Sequence, residues 1–303
     1  MCGVSTAIAV VCALGAALCF ALGSLVQQGV ARQTREGALR VRLLLALVRQ
    51  PRWIAGVVLS SFSFVIQGTA LAFGPLSLVQ PLAATDVLFA LPLIAMRNRQ
   101  GLTRKDVAGA LTMTAGLAVF IAVSPPVEGL RAPSVIAWIP AFGSVAAAIA
   151  VASVAALRAR GNARVVWLAA AAGVIYGLLD ALAKGTIDLL QDRGVAGVIT
   201  TWEPYALAAA GVLGALFGQS SFNAGPLSLS LPVMDTLEPV AAVVIATTVF
   251  RERLASSPGQ LTLQLAGGAL AVTGIAILSR SSVVRTESEL TPGPTAIEPG
   301  RTR

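Results

Sequence analysis

A chain of 303 residues that is 56% hydrophobic and only 12% charged cannot clothe a soluble globule in polar side chains, and with a mean hydropathy of +0.80 it reads as an integral membrane protein. The formal charge of +8 sits in short loops between apolar runs and no aromatic-basic motif accompanies it, which argues against nucleic acid as a partner. Three cysteines, Cys2, Cys12 and Cys19, and no histidine leave neither a disulfide framework nor a Cys/His zinc site, and no cofactor is expected.

Crossing hydrocarbon takes about 20 apolar residues per helix. Nine spans are predicted, over 7–31, 53–72, 75–96, 106–124, 133–157, 165–188, 203–223, 226–250 and 259–279. The first is kept as a helix, since it lacks the basic n-region of a cleaved signal peptide and its apolar run is too long for one. Between the first two spans, "LRVRLLLALVRQPRW" is too short and too Arg-flanked to cross, and suits a helix lying in the interface within 33–52. The stretch after the last span, "RSSVVRTESELTPGPTAIEPGRTR", is polar with repeated proline, so 281–303 is expected to be a disordered cytoplasmic tail.

Basic loops stay cytoplasmic. The loop 32–52 has six Arg against Glu36, and 97–106 has Arg97, Arg99, Arg104 and Lys105 against Asp106; 158–164 adds Arg158, Arg160 and Arg164. The opposite loops are poor in basic residues, although Arg251 and Arg253 dissent. This predicts a multi-pass plasma-membrane protein with its N-terminus outside and its C-terminus cytoplasmic.

The stretch "FGPLSLVQPLAATD" at 73–86 returns as "AGPLSLSLPVMDTLE" at 224–238, aligning Gly74 with Gly225, Pro75 with Pro226, Ser77 with Ser228 and Pro81 with Pro232. Upstream, Phe20 pairs with Tyr176 and Gly29 with Gly185; downstream, Gly109 and Gly116 pair with Gly267 and Gly274. Five spans separate equivalent positions, an odd number, so the second copy enters the membrane in the opposite sense. The expected architecture is an all-α polytopic membrane protein of nine transmembrane helices in two inverted-topology repeats, 1–157 and 158–280, the arrangement of many secondary transporters.

Within the repeated word, Gly-Pro makes a turn and starts a helix. The second proline cannot donate to the carbonyl four residues back. Pro81 therefore frees Ser77, Pro232 frees Ser228, Pro239 frees Asp235 and Pro92 frees Leu88, with kinks expected. Freed carbonyls at membrane depth persist where they face protein, water or a ligand. At about 1.5 Å per residue, Asp86 lies about 16 Å beyond Pro75, and Asp235 and Glu238 about 14 and 18 Å beyond Pro226. All three fall near the middle of the bilayer, where an acid is costly and calls for a role or a partner. Protonation would let them couple a proton to transport; a pair of carboxylates among Asp86, Asp235 and Glu238, with freed carbonyls, would ligate a hard cation such as Mg²⁺. Asp180 and Lys184, four apart, suit a neutralising pair. Gln27, Gln28, Gln67, Gln219 and Asn223 add hydrogen-bonding groups that either line a site or join helices. Gly173-xxx-Gly177 and Gly214-xxx-Gly218 offer close-packing faces, so homo-oligomers are possible.

The two halves, the small-residue fourth and ninth spans and "VFRERL" after the eighth resemble the drug/metabolite transporter superfamily, the EamA-like proteins, over about residues 7–280. The phrases "ALGSLVQQGVAR" and "FGPLSLVQPL" are similar to a bacterial branch related to the NIPA-type magnesium transporters. The resemblance implies a carrier, and no nucleophile elbow, HExxH or phosphate-binding loop supports an enzyme. The leading expectation is a secondary transporter moving a small solute by alternating access, ion- or proton-coupled, with a divalent-cation (Mg²⁺) transporter as its nearest variant. A non-transporting scaffold and a membrane-embedded enzyme are the readings from other classes. The expected partners are the lipid bilayer and a small-molecule or ion substrate. Its candidate site is Asp86, Asp235, Glu238, Asp180, Lys184, Gln28, Ser77 and Ser228.

Overall fold

A computed structural model describes residues 2–34, 36–73, 79, 82–123, 133–251 and 257–290. All regular structure among them is helical: α1 (Cys2–Gln33), α2 (Val41–Val48), α3 (Pro51–Phe73), α4 (Asp86–Arg97), α5 (Arg104–Ala122), α6 (Val135–Arg158), α7 (Asn162–Ile199), α8 (Glu203–Ala224), α9 (Leu227–Val249), α10 (Pro258–Leu278) and α11 (Ser282–Leu290). Eight of these, α1, α3 and α5 to α10, are long and apolar enough to cross a membrane. The chain is thus a polytopic helical membrane protein.

The third expected span, 75–96, is described only in part, because Gly74–Leu78, Gln80 and Pro81 lie outside the described residues. What is described there is α4, twelve residues long and entered through a turn at Ala84 and Thr85. As expected, α2 is a separate short helix. Leu43 and Leu47 are buried while Val41, Leu45 and Val48 are exposed, which gives it one face on the bundle and one apolar face off it.

Two expectations are corrected. The loop drawn at 188–203 is helical as far as Ile199, because nothing before Gly194 stops the helix. The uninterrupted part of α7, 162–193, is about 48 Å long, well beyond a hydrocarbon layer of about 30 Å. Gly194, at φ 65° and ψ −178°, then redirects the chain in a conformation that only glycine holds easily. The tail is likewise not disordered over its first part, since Ser282–Leu290 forms α11. Val283, Val284 and Glu287 of α11 are buried.

Lipid gives apolar helices little reason to associate, so close backbone approach and polar contacts hold such bundles. Helix α1 runs antiparallel to α3 where Gly23 and Gly56 meet; a Cβ at Gly56 would stand 3.0 Å from the Gly23 carbonyl oxygen. Both predicted glycine pairs are filled from within the chain. Gly173 and Gly177 of α7 take the α9 backbone at Met234 and Glu238, while Gly214 and Gly218 of α8 take the ring of Tyr176. Helices α5 and α10 form a second antiparallel seam in which Gly109 meets Leu278, Met113 meets Gly274, Gly116 meets Ala271 and Phe120 meets Gly267. Their glycines thus recur at matching steps from opposite ends.

Gln27, Gln219 and Asn223 join helices. Gln219 Nε2 donates to Gln27 Oε1 at 2.8 Å, Trp53 Nε1 donates to Gln219 Oε1 at 3.0 Å, and Asn223 Nδ2 donates to the Ala31 carbonyl at 2.7 Å. These bonds tie α1 to α8, and α8 to α3.

Candidate functional site

The acids of the repeated word come from two helices that face each other. Asp86 is the first residue of α4, only 5% exposed, and its Oδ1 accepts the Val87 N–H at 2.8 Å. Asp235 and Glu238 lie in mid-α9, about 12 and 16 Å along from Leu227. The carboxyl groups of Asp86 and Asp235 meet side chain to side chain. Glu238 stands within electrostatic reach of Asp86, Asp235 and Asp180, and of the Tyr176 hydroxyl. Asp235 Oδ2 is buried and has no hydrogen-bond partner. The expected convergence of Asp86, Asp235 and Glu238 is therefore present, and Asp180 of α7 joins it. Two carboxyls in contact cannot both carry charge without a proton or cation between them.

The remaining candidates fall elsewhere. Lys184, one turn beyond Asp180, holds its Nζ 4.6 Å from the centroid of the Phe250 ring, in cation–π contact. Ser77 and Pro81 lie outside the described residues. Pro232 and Pro239 sit inside an α9 that stays helical from end to end, as Pro92 does inside α4, so these prolines do not break their helices. Among the described residues no group of three or more His, Cys, Asp or Glu side chains is assembled to hold a metal ion.

Gln28 and Ser228 serve a different centre, one whose key residue, Glu287, the sequence reading placed in a disordered tail. Glu287 of α11 is 1% exposed. Its Oε1 accepts from Gln28 Nε2 at 2.8 Å, from the Leu227 N–H at 3.0 Å and from Arg97 at 3.1 Å. Its Oε2 accepts from the N–H and the hydroxyl of Ser228 at 3.2 and 2.8 Å. Arg32 lies 4.0 Å away and also donates to the Glu287 carbonyl. One carboxylate thus satisfies the free N–H groups at the start of α9 and binds α1 and α4 to the same point. At the other end of α11, Asp106 accepts from the Ser282 hydroxyl at 2.8 Å and the Val283 N–H at 3.3 Å, while closing a capping box with Thr103. The buried spacing Val283, Val284, Glu287 was a legible helical face; the prolines beyond it dominated the reading.

At the opposite end of the bundle Trp138 packs edge-on against Trp202 and Phe250, with ring centroids 5.5 and 5.6 Å away, and lies tilted on Phe142 at 5.9 Å. No sequence motif announced this cluster, whose members come from α6, the α7–α8 link and the end of α9.

No family profile matches the chain, and no solved structure matches it. A protein of Corynebacterium glutamicum, named only as uncharacterized, is 32% identical over 250 residues, which cover 82% of this chain and 86% of that protein.

Proposed function

We propose, from the premise that this chain belongs to one family with that Corynebacterium glutamicum protein, that it is a secondary-active transporter of a small solute. The observation that carries the reading is the meeting of Asp86 with Asp235, flanked by Glu238 and Asp180, inside a bundle of apolar helices. Acids at that depth cost about 2.5–3.5 kcal/mol each on insertion scales, and are retained where they carry a proton, an ion or a substrate. A proton held between two touching carboxyls is what a coupled carrier loads on one side and releases on the other.

Three observations support an inverted repeat around this site. The acids come from α4 in the first half and from α7 and α9 in the second; the repeated words place them at corresponding depths; and α5 and α10, equivalent in the alignment, pack antiparallel through matched glycines. The turn that opens directly onto Asp86 belongs with the broken helices that line such sites. The Arg- and Lys-rich ends of α1, α4, α5 and α6 share one end of the bundle, which supports a cytoplasmic placement for that end in the plasma membrane.

The test is flux through vesicles containing the purified protein and a trapped pH-sensitive dye, screened against a panel of small solutes. A solute-dependent collapse of an imposed proton gradient is expected, and it should vanish in the D86N/D235N/E238Q triple variant while the variant elutes and melts as a folded protein. Full flux in that variant defeats the reading. Gradient collapse by no solute, with folded protein inserted, defeats proton coupling.

A further inference from the structure

At the end of the bundle away from Glu287, a cavity of about 460 Å³ opens between the start of α6, the extended end of α7 and the start of α8. Its volume lies in the ordinary range of small-molecule sites. Trp138 and Trp202 give it aromatic walls, and Arg193 and Glu203 line it with opposite charges. Among the described residues no ion pair joins Arg193 to Glu203. Arg193 and Glu203 therefore share a pocket without pairing.

Two polar atoms at this site lack the partner that burial demands. Trp138 is 1% exposed, yet its Nε1–H donates to nothing, and Glu203 Oε2 is buried without a hydrogen bond. Such groups cost about 1–3 kcal/mol each when left unsatisfied. The bland account of Glu203 is that it opens α8, where a negative charge suits the helix dipole; that accounts for its charge but not for its stranded oxygen. The bland account of Trp138 is packing against Phe142, Trp202 and Phe250, which accounts for its ring but not for its N–H. A ligand that donates to Glu203 and accepts from Trp138 and Arg193 answers both. The wall bearing Arg193 is set by Gly194, whose positive φ turns the chain away from the α7 axis toward Thr200, Thr201 and Trp202.

We propose that this cavity binds a small zwitterion with an apolar body. Its ammonium lies on Glu203, its anionic group on Arg193 and the Trp138 indole N–H, and its apolar part against the aromatic wall that Trp138 and Trp202 form together. An α-amino acid with an apolar side chain has this chemistry. The site stands apart from the Asp86–Asp235 pair and does not rest on the transport reading.

The test is calorimetry, together with quenching of tryptophan fluorescence, on the full-length protein in lipid nanodiscs. The probes are L-phenylalanine, L-leucine and L-methionine, with phenethylamine and 3-phenylpropionate as analogues that keep one charge each. L-phenylalanine is expected to bind about tenfold more tightly than either analogue, since each lost charge-assisted contact is worth at least that. E203Q should weaken L-phenylalanine and phenethylamine but not 3-phenylpropionate, and R193Q should weaken L-phenylalanine and 3-phenylpropionate but not phenethylamine; neither side chain is in an ion pair in the fold, so both variants should melt close to wild type. Binding should survive in D86N/D235N/E238Q, which separates this site from the transport site. The proposal is overturned if none of the three amino acids binds, if the one-charge analogues bind as tightly as L-phenylalanine, or if E203Q and R193Q leave all affinities unchanged.

Discussion

Glu287 shows how much one side chain can hold when a chain has few polar groups. Its carboxylate receives Gln28, Arg97, the Ser228 hydroxyl and two backbone N–H groups in an almost fully buried position. Removing one partner from such a centre leaves the others desolvated and uncompensated, at about 3–5 kcal/mol for a fully buried pair. Arg97 remains one-third exposed and is screened by water, so the lower end applies here. E287A is therefore expected to cost about 3 kcal/mol, read as a lowered unfolding temperature, with faster hydrogen exchange at Leu227 and Ser228. An unchanged melting temperature would mean that α11 is not a structural part of the bundle. The residue was not legible because its partners arrive from α1, α4 and α9, up to 259 positions away in sequence. Asp86, Asp235 and Glu238 were legible because an acid in the middle of an apolar run is conspicuous without knowledge of its neighbours.

Elements differ in how far their contacts can be read from their own residues. The seam between α5 and α10 was foreshadowed by Gly109, Gly116, Gly267 and Gly274, but their alignment gave equivalence, not contact. The structure adds that these two helices touch each other. A Cβ at Gly267 would stand 2.8 Å from both the Gly116 carbonyl oxygen and the Phe120 backbone nitrogen, where no flexible side chain can yield. G267A should thus cost about 1–3 kcal/mol of stability. By contrast G143A, on α6 where an added Cβ meets nothing, should be neutral or slightly stabilising on helix propensity. Comparable melting of the two variants would show that the seam is loose. In α9, Pro232 and Pro239 remove two N–H donors, and the segment stays helical from Leu227 to Val249.

For the molecule as a whole, length and hydropathy sufficed for an all-helical bundle, and eight of the nine expected spans satisfy the crossing criteria. Boundaries failed where polarity was mistaken for irregularity, at 188–193 and at 282–290, because a helix leaving the bilayer or docking beneath it carries polar residues without unwinding. Orientation is open to a direct measurement. In a background with the native cysteines replaced by serine, S134C should react with a membrane-impermeant maleimide in intact cells, whereas K105C should react only after lysis. The reverse pattern would invert the assignment of both ends. The glycine seam bears on how the two halves communicate. A contact made through side chains can absorb a displacement by rotamer change, so that one half moves and the other need not register it. Where Gly116 and Gly267 put backbone against backbone, no rotatable bond lies between the halves. At this joint a shift of α5 has no side-chain rotamer to take it up before it meets the backbone of α10.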